Sequence, residues 1–260
     1  MKIIVCVKQV PNTNEVKFNP ETGTLIREGI PSIMNPDDKA GLEAALRLKD
    51  KSGAKVIVLS MGPPKAEDAL REALAMGADE AVLLTDRAFG GADTWATSST
   101  LAAAIRLFDY DLIITGRQAI DGDTAQVGPQ IAERLGVPNI SYAEELGVED
   151  GCVIVKRQYE DRYHVVRTKT PCLVTALSEL AEPRYMTPGG IFEAYRAREV
   201  KTITRADLDI DDSNIGLKGS PTRVFRSFAK TLKGKGEVAA LEPAESAQWL
   251  VEKLSDKFII

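Results

Sequence analysis

A chain of 260 residues that is 44% hydrophobic and 27% charged can bury the core of one large α/β domain with an appended arm, and it lacks the composition of a disordered protein. A net charge of −5 argues against nucleic acid as a partner, whose recognition leaves a basic footprint. No apolar run approaches the ~20 residues that span a bilayer, Met1-Lys2 runs straight into IIVCV without a signal-peptide pattern, and three scattered cysteines suit neither a disulfide framework nor a metal site, so a cytoplasmic protein is expected.

In chain order, apolar β-branched runs at Ile3 to Val7, Lys55 to Ser60, Ala81 to Leu84 and Leu112 to Thr115 predict strands. They alternate with helical patterns at Pro36 to Lys51, Lys65 to Met76, Thr94 to Leu107 and Thr124 to Leu135. Such a βαβα order predicts a doubly wound, mostly parallel sheet whose ligand lies beyond the carboxyl ends of the strands. The loops Lys8 to Pro11, Met61 to Pro64, Thr85 to Asp93 and Gly116 to Asp123 leave those ends and are expected to wall one crevice. Val153 to Arg157 and Tyr163 to Thr168 read as a β-hairpin, and Cys172 to Ala176 as one more buried strand. The pattern fades near Ala181 and a helix resumes at Glu242 to Lys253. The division drawn from this is a nucleotide-binding domain over 1–180 and, over 181–260, a loop and extended arm that pack on a partner.

The stretch LIITGRQAIDGDTAQVGPQIAERLG, Leu112 to Gly136, sets a buried strand against a helix. Asp123 and Gln126 fit a capping box, and Ala125, Gln126, Val127 and Gly128 are slim residues around the free N–H groups of the first turn, where an anion is favoured. A phosphate fits there, although the same residues also make an ordinary capped connection. Asn35 reads as the cap of the next helix upstream, with Pro36 at its first position. Gly90-Gly91-Ala92-Asp93-Thr94-Trp95-Ala96-Thr97 is a third helix start with hydroxyls, and two converging N-termini could hold a diphosphate. Asp121 and Asp123 suit capping or binding of sugar hydroxyls better than a metal site, and Arg117 could neutralise a phosphate or simply be solvated. The single histidine, His164, rules out a multi-histidine site. A triphosphate-binding loop of the form GxxxxGK[ST] is absent from the sequence.

The run GRQAID from Gly116, with Gln126 and Gly128, resembles the nucleotide-binding segment of electron-transfer flavoprotein β subunits. VCVKQVP (Val5 to Pro11), MNPDD (Met34 to Asp38), ALAMGADEA (Ala73 to Ala81) and EPRY (Glu182 to Tyr185) follow the family's order over roughly residues 1 to 200. The resemblance implies a Rossmann-like sheet of the adenine-nucleotide α-hydrolase type and a nucleotide held by Cys6, Val7, Asn35, Met61, Gly62, Gly116, Arg117, Gly122, Asp123, Thr124 and the four residues Ala125 to Gly128. The ADTxAT run, which contributes Asp93, Thr94 and Thr97, resembles members that bind FAD here, whereas simple members hold AMP. The implied role is that of an electron carrier in an NADH-dependent bifurcating complex. Its partners would be an α subunit with its own FAD, an acyl-CoA dehydrogenase or related flavoenzyme, and ferredoxin or flavodoxin. Leu180 matches the family's docking anchor, while Ile191 to Arg196 replaces the lysine cluster of simple members.

Overall fold

The computed structural model describes residues 1–12, 31–223, 225, 234 and 236–260. Its strands are β1 (Lys2–Cys6), β2 (Gln9–Pro11), β3 (Ser32–Met34), β4 (Lys55–Met61), β5 (Glu80–Leu84), β6 (Leu112–Gly116), β7 (Asn139–Glu149), β8 (Cys152–Gln158), β9 (Tyr163–Lys169), β10 (Cys172–Ala176) and β11 (Val200–Ile203). Its α-helices are α1 (Pro36–Ser52), α2 (Glu67–Met76), α3 (Thr94–Ile105), α4 (Val127–Leu135), α5 (Pro188–Arg196) and α6 (Pro243–Asp256). Among the described residues, the main sheet has nine strands in the order β11-β5-β4-β1-β6-β10-β7-β8-β9, and β2 pairs with β3 as a separate ribbon. Pairing is parallel from β11 to β7 and antiparallel through β7, β8 and β9. The expected α/β architecture is therefore present.

Strand order follows from which face each crossover covers. Ile3 and Val5 of β1 point into the core shared with α1 and α2, while Ile4 and Cys6 point into the core shared with α3 and α4. Burial on both faces is what makes β1, β6 and β10 continuous apolar runs. The chain moves outward from β1 through β4 to β5, then returns to place β6 on the other side of β1. That reversal opens a crevice between the carboxyl ends of β1 and β6.

Residues beyond 180 continue this body before any arm departs. Helix α5 packs on α2, and the Arg71 guanidinium donates to the carbonyls of Ala194 and Arg198. Strand β11 extends the sheet beside β5, and Ile203, Leu208 and Ile215 enter the core under α3. The last helix, α6, leaves Leu250 and Val251 half exposed. No helix among the described residues is long and apolar enough to cross a membrane.

Leu180 departs from the expectation of an exposed anchor. It lies in the short 3-10 turn Ser178–Leu180 between α1 and β7, is 9% exposed, and belongs to the core cluster. The turn folds the side chain inward because Leu180 N–H donates to the Leu177 carbonyl at 3.0 Å. Leu180→Ala is therefore expected to lower stability by about 2 kcal/mol, the lower end for a buried leucine. Urea unfolding of the purified protein checks this, and an unchanged midpoint with an unchanged slope would return Leu180 to the surface.

Candidate functional site

A cavity of about 1150 Å³ lies over the carboxyl ends of β4, β1 and β6, above the range of about 300–1,000 Å³ usual for small-molecule sites. The four loops expected to wall one crevice all contribute to it. Cys6, Val7, Met61, Gly62, Asp93, Thr94, Thr97, Gly116 and Arg117 line it, with the run Gly122, Asp123, Thr124, Ala125, Gln126, Val127 and Gly128. Asn35 does not, and Leu180 lies in the core.

The start of α4 differs from the capping box predicted for it. Asp123 and Ala125 take left-handed φ values of 48° and 52°, so the helix begins only at Val127, with Gln126 at the cap position and no capping side chain. The Asp123 carboxylate instead accepts from Gln118 Nε2 at 2.9 Å, and Gln126 Oε1 accepts from the Thr94 hydroxyl at 2.8 Å. The N–H groups of this first turn consequently have neither an intrahelical nor a capping partner, and the helix dipole adds positive potential where they face the cavity. Gly128 lets the helix sit directly on the strands. A Cβ there would lie 2.6 Å from Thr115 Oγ1 and 2.8 Å from Thr175 Cγ2.

Helix α3 is built the opposite way. Asp93 caps it by accepting from Ala96 N–H at 3.0 Å, and its second oxygen accepts the Thr222 amide at 3.0 Å and the Thr222 hydroxyl at 2.7 Å. Burial works to raise the Asp93 pKa, but the Ala96 amide and Thr222 donors hold the carboxyl below the usual range. The two helix starts expected to converge on a diphosphate are therefore unlike: α3 carries a side-chain cap and α4 does not. What α3 offers the cavity is the side chains of Thr94 and Thr97.

Two buried residues of MNPDD hold the crevice together from behind. Asn35 is fully buried and does not cap α1; its Nδ2 donates to the Gln118 carbonyl at 2.8 Å and its Oδ1 accepts from Ile120 N–H at 3.1 Å. Asp38 accepts from the amide of Gly116 through Oδ1 and from that of Lys8 through Oδ2, both at 2.8 Å. One carboxylate therefore spans the point where β1 and β6 part. Burial pushes its pKa up to about 7, against the lowering effect of the Lys8 amide, the Asn35 side chain and the Gly116 amide. Burial, reinforced by Asp38, also raises the Cys6 thiol to about 12.

The remaining charges serve the loops. Lys8 Nζ holds Asp121 at 2.7 Å, so Asp121 neither caps a helix nor faces the cavity. Arg117 lies 3.4 Å from Asp37, whose carboxyl is raised by burial and lowered by Arg117. His164 sits in β9 opposite Arg157 and against the Tyr159 ring, 4.5 Å between centroids. Asp38, Lys8 and Thr222 were not legible as site residues. Asp38 looks like any first-turn acid, and Thr222 reaches Asp93 only through the tertiary fold. A spacious cavity with an uncapped helix N-terminus and flanking hydroxyls has the room and the donors for a phosphorylated ligand.

Residues 22–209 match the electron transfer flavoprotein domain. The chain is 58% identical, over all of both chains, to the electron transfer flavoprotein subunit beta of Clostridium acetobutylicum. It is 56% identical to the caffeyl-CoA reductase-Etf complex subunit CarD of Acetobacterium woodii, and 48% identical to the acryloyl-CoA reductase electron transfer subunit gamma of Anaerotignum propionicum, again over the whole of each chain.

Asp38→Asn is expected to cost about 1–3 kcal/mol, because the new NH2 group must face the amide of either Lys8 or Gly116, donor against donor. The pH dependence has a definite sign. Folding raises the Asp38 pKa to about 7, so the folded state holds the proton that the unfolded chain has already released; this contribution to stability is complete below the usual carboxylate range and is lost as pH rises to about 7. Denaturant titrations at several pH values should show a downward slope in wild type that is shallower in Asp38→Asn. Parallel slopes would show that Asp38 is ionised throughout.

Proposed function

The chain belongs to the electron transfer flavoprotein family, as a β subunit, and we propose that it is the FAD-binding β subunit of an electron-bifurcating complex. The observation that carries this reading is the cavity of about 1150 Å³ with its uncapped α4 N-terminus beside Thr94 and Thr97, which suits a dinucleotide diphosphate better than a single AMP phosphate. When bound, FAD supplies acceptance of a hydride from NADH and division of the electron pair. The partners in this reading are ferredoxin or flavodoxin, an α subunit with its own FAD, and an acyl-CoA dehydrogenase or related flavoenzyme. Two relatives named for caffeyl-CoA and acryloyl-CoA reductases support a partner that acts on an acyl-CoA.

In this reading the protein binds, orients and shields, and the redox chemistry belongs to the cofactor. The amides at the start of α4 hold phosphate oxygens, and Gly128 lets the helix sit close to the strand ends. The hydroxyls of Thr94 and Thr97 hydrogen-bond the diphosphate or the chain attached to it. Asn35 and Asp38 fix the loops after β1 and β6, so that Val7 and Gly116 keep their places against the ligand. Docking of the dehydrogenase falls to α5 and the turn before it. Tyr185, Phe192 and Tyr195 are 96%, 60% and 61% exposed there, and Arg196 stacks on Phe192. Exposed aromatic and arginine side chains of this kind commonly anchor interfaces.

Acid extraction and chromatography of the complex with its α subunit should yield two FAD and little AMP. One FAD and one AMP per heterodimer would replace the bifurcating reading with that of a simple carrier. Phe192→Ala should slow electron transfer to the dehydrogenase about five- to thirtyfold, the effect of losing ~1 to 2 kcal/mol at an interface, while NADH reduces the bound flavin at the wild-type rate. Equal losses in both half-reactions, or none in either, would take α5 out of the docking site.

A further inference from the structure

The wall of the cavity formed by residues 86–93 does not stand alone. A strap over residues 205–222 crosses it and is tied to it at three places. The Arg205 amide donates to Asp86 Oδ2 at 3.1 Å, the Leu217 amide donates to the Gly90 carbonyl at 3.0 Å, and the Asp93 amide donates to Ser220 Oγ at 2.8 Å. The fit is close. Gly216 has a φ of 56°, and a Cβ on it would run into the Ala88 carbonyl oxygen; a Cβ on Gly91 would lie 3.1 Å from the Leu217 Cβ. Ser220 is buried and its hydroxyl donates to the Gly216 carbonyl at 2.8 Å, so its oxygen is oriented to accept from the Asp93 amide. The strap ends at Thr222, which lines the cavity.

We propose that Thr222, presented by this strap, is a positioning residue of the dinucleotide site that directs the Asp93 carboxylate away from the bound diphosphate; the inference rests on the FAD reading above. Asp93 sits at the mouth of a pocket that must receive an anion. Its Oδ1 is occupied by the Ala96 amide and its Oδ2 by the amide and hydroxyl of Thr222. Without the hydroxyl, Oδ2 keeps one donor and turns a free lone pair toward the cavity, where it meets phosphate oxygens of like charge. A capped but unstrapped α3 would therefore repel the ligand that α4 attracts.

The test uses the complex with its α subunit, stripped of nucleotide and titrated with FAD, for wild type, Thr222→Val and Thr222→Ser. Thr222→Val should weaken FAD binding at this subunit about tenfold, the effect of a carboxylate lone pair left facing phosphate oxygens. Thr222→Ser should bind like wild type, and the unfolding midpoint of all three FAD-free complexes should be the same. Wild-type affinity in Thr222→Val, equal losses in the Val and Ser variants, or a fall in the FAD-free midpoint that accompanies the loss would each overturn the positioning role. If the wild-type complex holds AMP at this site, the FAD reading fails on its own account. The strap inference is then decided by AMP titration of the same three proteins, with the same expected and contrary results.

Discussion

The carboxylate of Asp38 is the constraint on which the site depends. In a doubly wound sheet the loops after β1 and β6 diverge toward opposite faces, which leaves backbone N–H groups at a buried junction that water cannot serve. Asp38 answers two of them, those of Lys8 and Gly116, from the first turn of α1. The arrangement is crowded. A side chain on Gly116 would strike the Asp38 carboxyl and leave 2.9 Å to its backbone nitrogen, so the junction needs glycine at that position whatever ligand lies above it. Withdrawal from water raises the energy of the charged form and the two amides recover part of it, which is why the group lies near neutrality instead of in the ordinary acid range.

Above this junction the two helix starts divide the work. Helix α3 uses its own acid, Asp93, as a cap and so satisfies its first turn internally. Helix α4 delays its start by two left-handed residues and leaves its first turn for something else. Left-handed φ at non-glycine residues is uncommon and mildly costly, and it occurs here at two positions of three, Asp123 and Ala125, in a loop that lines the cavity. The Thr94–Gln126 hydrogen bond then couples the two starts, so the wall after β5 and the wall after β6 keep a common spacing.

Much of the central sheet was legible in the sequence because burial on both faces writes itself as an unbroken apolar run, as in LIIT of β6 and CLVTA of β10. The outer strands were less so. Strand β7 alternates irregularly because a bulge lies between Ala143 and Glu145, and β11 presents Lys201 and Thr202 to solvent at the sheet edge. The helix starts were located to within a few residues, but their chemistry was misread at Asn35 and Asp123. Both have the composition of caps, and both are claimed by longer-range partners on the 118–120 loop. Leu180 illustrates the same limit in reverse: a leucine after the last core strand carries no local mark of which way it faces.

The thiol of Cys6 has a chemical consequence of its own. It forms part of the cavity wall, and burial, reinforced by Asp38, pushes its pKa up to about 12, which leaves it protonated at neutral pH. Only a thiolate attacks electrophiles or peroxides at an appreciable rate. A cavity wall that exposes sulfur could otherwise lose that sulfur to adducts or to the sulfenic acid ladder. Here burial among apolar side chains, reinforced by the neighbouring Asp38, suppresses its nucleophilicity, so the atom contributes polarizable packing and stays chemically inert.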